Sequence, residues 1–232
     1  MIPPMINHRG FFARIIPAVG RVAGAKILLI LMVVGFTLMA CSPARSVDAT
    51  TVISPVSPLP STGTPLSAKA LFEQGNIYYE AGQLDQAIKT YRAVIELDPG
   101  YQAAYANLGV VYYQQNNFDL AASQYEKAIE LNPNDGDVAY NLGVLYLQQA
   151  LTKGQKPDAR LLEKAVVQLK QAQKISPKLT EPLFSLGVAY FALDQRDQAI
   201  NSFESYLAAN ANPDSRAKQE AEHYLKLLKG QK

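Results

Sequence analysis

The chain has 232 residues, 48% hydrophobic and 18% charged, with 22 Lys and Arg, 20 Asp and Glu, two histidines, one cysteine and no tryptophan. That length holds one or two globular domains. A lone cysteine excludes an intrachain disulfide framework, and the few histidines show no zinc-type ligand spacing.

The apolar content is concentrated at the start. Residues 27–39, ILLILMVVGFTLM, are an uncharged run of thirteen, preceded by Arg9, Arg14, Arg21 and Lys26 with no acidic residue among them. A basic n-region followed by a short apolar h-region is the pattern of a secretory signal. The run ends Leu38-Met39-Ala40-Cys41. It resembles a lipobox, in which leucine and a small residue precede a cysteine that carries a diacylglyceryl thioether. The resemblance implies a signal peptide over 1–40 and lipidation of Cys41. The alternative is an uncleaved anchor, because residues 27–44 carry no charge over a length at the short edge of the ~17–25 residues that cross a bilayer. In both cases the basic flank lies upstream and only Arg45 follows closely, so the positive-inside rule exports what comes after. The expected location is the cell membrane or outer membrane, reached through lipid.

Cleavage at Cys41 lowers Lys plus Arg from 22 by four to 18 and removes no acid, so the mature chain carries −2. The basicity of the precursor belongs to its targeting segment and gives no reason to expect nucleic acid. Residues 42–66 contain five prolines among many Ser and Thr and keep neither a helical period nor an alternation. They are read, with Cys41, as a disordered linker whose ends lie about 25–30 Å apart on average.

From residue 68 a pattern returns four times: Gln74-Gly75-x-x-Tyr78, Leu108-Gly109-x-x-Tyr112, Leu142-Gly143-x-x-Tyr146 and Leu186-Gly187-x-x-Tyr190. Each is followed by an alanine four residues before a large side chain: Ala87/Tyr91, Ala121/Tyr125, Ala165/Leu169 and Ala199/Phe203. The glycines step by 34, 34 and 44, and Pro99, Pro133 and Pro177 keep the same phase. Spacings of three and four predict two helices per unit, with glycine where they touch. Asp98, Asn132 and Ser176, each before a proline, are expected to end the second helices. Asp85, Asp119 and Asp197 are placed to cap those helices at their start. Ten extra residues between Tyr146 and Ala165 contain Gly154 and Pro157, which predicts a longer inter-helix turn with Asp158 capping the helix that resumes. That turn is either tolerated loop growth or a contact loop. Beyond Pro213, the stripe Ala217, Ala221, Tyr224, Leu225 and Leu228 predicts a capping helix within 214–232.

This period and its phased glycine, alanine and proline resemble the tetratricopeptide repeat. The resemblance implies an all-α, right-handed solenoid of four helix pairs over 67–213, with units 68–101, 102–135, 136–179 and 180–213. It also implies a concave groove lined by the first helices. Counting each glycine as position 8, the family's groove positions fall here on Phe72, Asn76, Tyr79, Val110, Tyr113, Tyr140, Val144, Phe184 and Phe191. These form the candidate partner-binding set, the other role open to each being packing between repeats. One subclass of the family clamps a peptide carboxylate with three cations and two asparagines. Asn76 and Asn107 match the asparagines, but Phe72, Asp137 and Asn141 stand where the cations belong. The charge-assisted partners of a carboxylate are therefore missing, and no such clamp is expected.

No acid, base and nucleophile converge in this inventory, and no Gly-rich phosphate loop follows a strand. We therefore expect neither enzyme activity nor a cofactor, metal or small-molecule substrate. The expected partner is a protein or peptide. The chain resembles small repeat lipoproteins that scaffold envelope complexes, and, as the second reading, repeat-containing pilotins that help assemble a pilus or secretion system.

Overall fold

The structure is a computed structural model, and it describes residues 66–152, 156–209 and 216–230. The signal segment, Cys41 and the linker lie outside the described residues. Within them the chain forms helices and no strand: α1 (Ala68–Glu80), α2 (Leu84–Leu97), α3 (Gln102–Gln114), α4 (Phe118–Leu131), α5 (Gly136–Thr152), α6 (Ala159–Ile175), α7 (Glu181–Ala192), α8 (Arg196–Ala209) and α9 (Arg216–Lys229). Each odd helix packs against the even helix that follows it, and each even helix packs against the next odd one. The result is an α-solenoid of four hairpins, closed at its C-terminal end by α9 on α8.

The glycines set the depth of each hairpin. A methyl group added to Gly75 would stand 2.6 Å from the Tyr91 ring, at Gly109 2.7 Å from Tyr125, at Gly187 2.6 Å from Phe203, and at Gly143 2.8 Å from Leu169. Only a residue without Cβ lets the large side chain of the second helix lie on the backbone of the first. Tyr91, Phe203 and Leu169 have no accessible surface at all.

The three short hairpins share one turn. Gly82, Asn116 and Asp194 each take a left-handed conformation, with φ of 72°, 61° and 59°. In each case the next amide reaches back to a tyrosine carbonyl: Gln83 to Tyr78 at 2.8 Å, Asn117 to Tyr112 at 2.9 Å and Gln195 to Tyr190 at 2.9 Å. Glycine, asparagine and aspartate are the residues that tolerate this conformation, so the turn was written into the sequence in the same phase three times. The second helices end as expected, with Asp98, Asn132 and Ser176 as their C-cap residues.

Two sequence expectations are corrected. Asp85 and Asp119 do not cap: the N-cap residues are Gln83 and Asn117, neither with a side-chain cap bond, and the aspartates sit inside the first turn. There they accept from the next repeat, Asp85 from Gln115 Nε2 at 3.2 Å and Asp119 from Gln149 Nε2 at 2.9 Å. Asp197 likewise lies within the first turn of α8. The ten extra residues are also not mainly a turn. Helix α5 has 17 residues where α1 and α3 have 13, and α6 has 17 where α2 and α4 have 14. Each helix thus gains about one 3.6-residue turn, which prolongs the hairpin without rotating its apolar stripe out of phase. Asp158 caps α6 as expected, accepting from the amides of Arg160 at 2.9 Å and Leu161 at 3.3 Å.

Candidate functional site

Position 12 of one repeat and position 13 of the next meet across adjoining first helices. Gln114 Nε2 donates to the Tyr79 hydroxyl, and the Tyr113 hydroxyl donates to Gln148 Oε1. Both pairs are 35 residues apart. The tie ends there, because Leu147 occupies the next position 12. Beneath it, Asn76 Oδ1 accepts from the Tyr91 hydroxyl at 2.7 Å and from Asn107 Nδ2 at 2.9 Å, and Asn107 Nδ2 also approaches Tyr91 Oη at 3.4 Å. The asparagines that match the carboxylate clamp are thus bonded to each other across α1 and α3.

Tyr79 and Val110 rim a shallow depression on this face, with Asn107 and the fully buried Tyr91 beneath it, and it is too small to hold a water molecule. Of the candidate partner residues, it brings together Tyr79 and Val110, both part-exposed, with Asn76 bonded to two of its lining residues. Phe72 is only half-buried, but its ring centroid is 5.8 Å from that of Tyr91 and 5.0 Å from that of Tyr101. Tyr113 lies against Phe118 at 5.8 Å, and part-exposed Phe191 meets Tyr224 of α9 at 5.0 Å. Asn76, Tyr113, Tyr140, Val144 and Phe184 are buried, Phe184 with its ring edge-on to Phe203 and Tyr206. The burial of these five differs from the surface role read for them from the sequence. Aromatic residues three and four apart on a first helix serve the second helix as readily as a ligand, and position number alone does not separate the two roles. Tyr91 and Asn107 were missed as lining residues. The signal for Tyr91 was the 16-residue step from glycine to covering ring, kept in three of the four units, which places Tyr91 against α1.

The site is electrically quiet. Burial raises the Tyr79 phenol above its ordinary value of 10.0, partly offset by the bond with Gln114. Burial likewise raises Tyr91, Tyr125 and Tyr140. These groups therefore hold their protons more tightly when folded. Their stabilising effect is complete below the unfolded value near 10 and is lost as the pH climbs towards the raised folded values. The midpoint of urea unfolding is expected to stay level to about pH 9 and to fall beyond pH 10, with a shallower fall in Tyr91→Phe. Parallel curves for both proteins would show that Tyr91 carries no part of the effect.

Among the described residues no group of three His, Cys, Asp or Glu is placed to hold a metal ion. None of the described helices is long and apolar enough to cross a membrane.

A phased stack of helix hairpins, with an uncharged depression spanning two first helices, defines a repeat scaffold for protein–protein interaction. Family models described as tetratricopeptide repeat match residues 61–102, 72–135 and 106–174, and a second such model matches 183–213. The chain belongs to the tetratricopeptide repeat family. Similar solved structures include a MamA protein, 25% identical, with a TM-score of 0.55 over 61% of this chain and 72% of that one. MamA from Desulfovibrio magneticus RS-1 is 15% identical, with a TM-score of 0.60 over 70% and 84%. The pilF protein of Pseudomonas aeruginosa is 24% identical, with a TM-score of 0.56 over 69% and 67%. At these identities the likeness to the last two is one of fold. No curated protein matches the sequence.

Proposed function

We propose that the protein is a lipid-tethered adaptor that docks a peptide or helix of another envelope protein against its first-helix face, and so scaffolds a cell-envelope complex. The observation that carries the docking site is the Tyr79–Asn107–Val110 depression. It combines part-exposed aromatic and aliphatic surface with asparagines fixed by hydrogen bonds, and rigid amphipathic side chains are the ones that dominate interfaces. Its lining contains no charged residue, which favours an uncharged, apolar stretch of the partner over a carboxylate terminus. Support for the tether comes from the sequence: the basic and apolar leader, Leu38-Met39-Ala40-Cys41, and a proline-rich spacer before the first repeat. Acyl chains on Cys41 would hold the protein at a membrane while the spacer gives the repeats reach.

A photo-crosslinking residue at position 110, introduced in cells that express the full chain, tests the site. The expected product is a discrete crosslinked protein that disappears when Tyr79→Ala is added. A probe at Leu97, which is 57% exposed on a second helix, should give no such product. Equal crosslinking at 97 and 110 would remove the assignment. For the tether, Cys41→Ala is expected to leave an unprocessed or soluble chain, and membrane retention of that variant at full mature size would refute it.

A further inference from the structure

The two ends of the solenoid are not alike. At every internal junction, position 10 of a first helix is covered by the preceding repeat: Val111, Leu145 and Ala189 each have 0% exposure. At position 11, Tyr112, Tyr146 and Tyr190 are buried as well. Each of these tyrosines receives one side chain from the preceding second helix, always 20 residues earlier. Arg92 Nη2 donates to the Tyr112 hydroxyl at 2.6 Å, the Tyr146 hydroxyl donates to Glu126, and Lys170 Nζ lies 5.7 Å from the Tyr190 ring centroid. At the C-terminal end the corresponding Glu204 accepts from Lys229 of α9 at 2.6 Å, so that end is occupied. At the N-terminal end the same surface of α1 has no second helix ahead of it among the described residues. Ile77 is 48% exposed, and Ala70, Gln74 and Tyr78 are part-exposed.

We infer that this open face of α1 is a second docking surface, distinct from the first-helix depression, and that it takes an amphipathic helix from another protein chain in the position that a second helix holds at each internal junction. The kind of occupant follows from the junctions inside this chain, where three copies of the same surface are each covered by a helix of 14 or 17 residues. The incoming helix would bring apolar residues at spacings of three and four over Ile77 and Ala70, and one long polar side chain to the Tyr78 hydroxyl. A cation, a carboxylate or an amide would serve, since a phenol both donates and accepts. A second copy of this chain is the weaker candidate. Its second helices are already committed to their own neighbours, and the outward side of its α9 shows Glu222, His223 and Lys226 to solvent with Leu227 as its one exposed large apolar side chain.

The test uses the full chain with Cys41→Ser and a helix-stapled, fluorescent peptide of sequence LDQAIKTYRAVIEL, that of α2, followed by anisotropy. Saturable binding is expected, weakened about tenfold or more by Ile77→Asp, which buries a charge in the contact. Tyr79→Ala should leave it unchanged, which separates this face from the proposed depression. Because Ile77 is exposed, Ile77→Asp is expected to keep the wild-type melting temperature, and an unfolded variant would be replaced by Tyr78→Ser. Absence of binding to the wild type up to about 1 mM would overturn the inference, as would equal binding to Ile77→Asp. A wild-type dimer in sedimentation equilibrium that Ile77→Asp dissociates would also overturn it, by assigning the face to self-association.

Discussion

Phe203→Ala is expected to lower the unfolding free energy by about 3–5 kcal/mol, the range for removing a fully buried aromatic side chain. Phe203 has no accessible surface. Its ring stacks on Tyr224 of α9 at 5.0 Å and 3°, and meets the edge of Phe184 at 5.7 Å and 69°. It also fills the space opened by Gly187. One truncation therefore loosens the last hairpin and undocks the helix that closes the stack. For a domain of this size each kcal/mol corresponds to roughly 2–4 °C, so the melting temperature should fall by ten degrees or so. Hydrogen exchange in α9 should accelerate before that in α3 and α5, because the end of a solenoid depends on a single neighbour. A specific rescue is also expected. In the Phe203→Ala background, Gly187→Ala puts a methyl into the vacated space, and the pair should be more stable than the sum of the single changes by on the order of 1 kcal/mol. Additivity would mean that the hairpin had already collapsed around the cavity.

Gly109→Ala is expected to destabilise by about 1–3 kcal/mol, although the same change in an exposed helix interior stabilises by up to about 1 kcal/mol. The two effects oppose each other, and the distances decide the sign. The new methyl would lie 2.7 Å from two ring carbons of Tyr125. Tyr125 is itself buried in the core and has nowhere to retreat. Urea denaturation of Gly109→Ala beside Gly82→Ala makes the comparison. At Gly82 a Cβ meets nothing within 4 Å, and the whole cost, about 1–2 kcal/mol, comes from the φ of 72°. Restoring Gly109→Ala by Tyr125→Leu, but not Gly82→Ala, would separate crowding from backbone strain. A gain in stability at position 109 would mean that α3 and α4 stand farther apart than the structure shows.

The fold was legible because its rule is short-range and repeated. A glycine 16 residues before a large side chain states where two helices touch, and three of the four units obey that spacing unchanged. In the third unit the step lengthens by ten between Gly143 and Leu169, and the contact survives because two helical turns absorb most of the insertion. Gly154 and Pro157 had pointed instead to a long turn; such residues mark where a helix breaks and say little about how far its flanks extend. The cap roles given to Asp85 and Asp119 failed for a related reason. A left-handed residue already closes the preceding helix by backbone bonds, which leaves the carboxylates free to tie one repeat to the next. The candidate site was legible only in part. Tyr79 and Val110 reach the surface, whereas Phe184 turns to Phe203 and Tyr206. Whether an aromatic serves core or surface depends on what the neighbouring helix offers it, and that neighbour lies outside the window in which a period is read.

The tyrosine seam between repeats has a consequence for how such an array grows. At successive junctions the same phenol meets an arginine, a glutamate and a lysine. A group that can give a proton, take one, or offer the electron-rich face of its ring sets no condition on its neighbour's charge. Duplication or loss of one 34-residue unit would then bring together two edges that had never met, and no compensating substitution would be required. The array is modular because its joint is indifferent to what it joins, and its length is open to drift while the surface of each unit specialises.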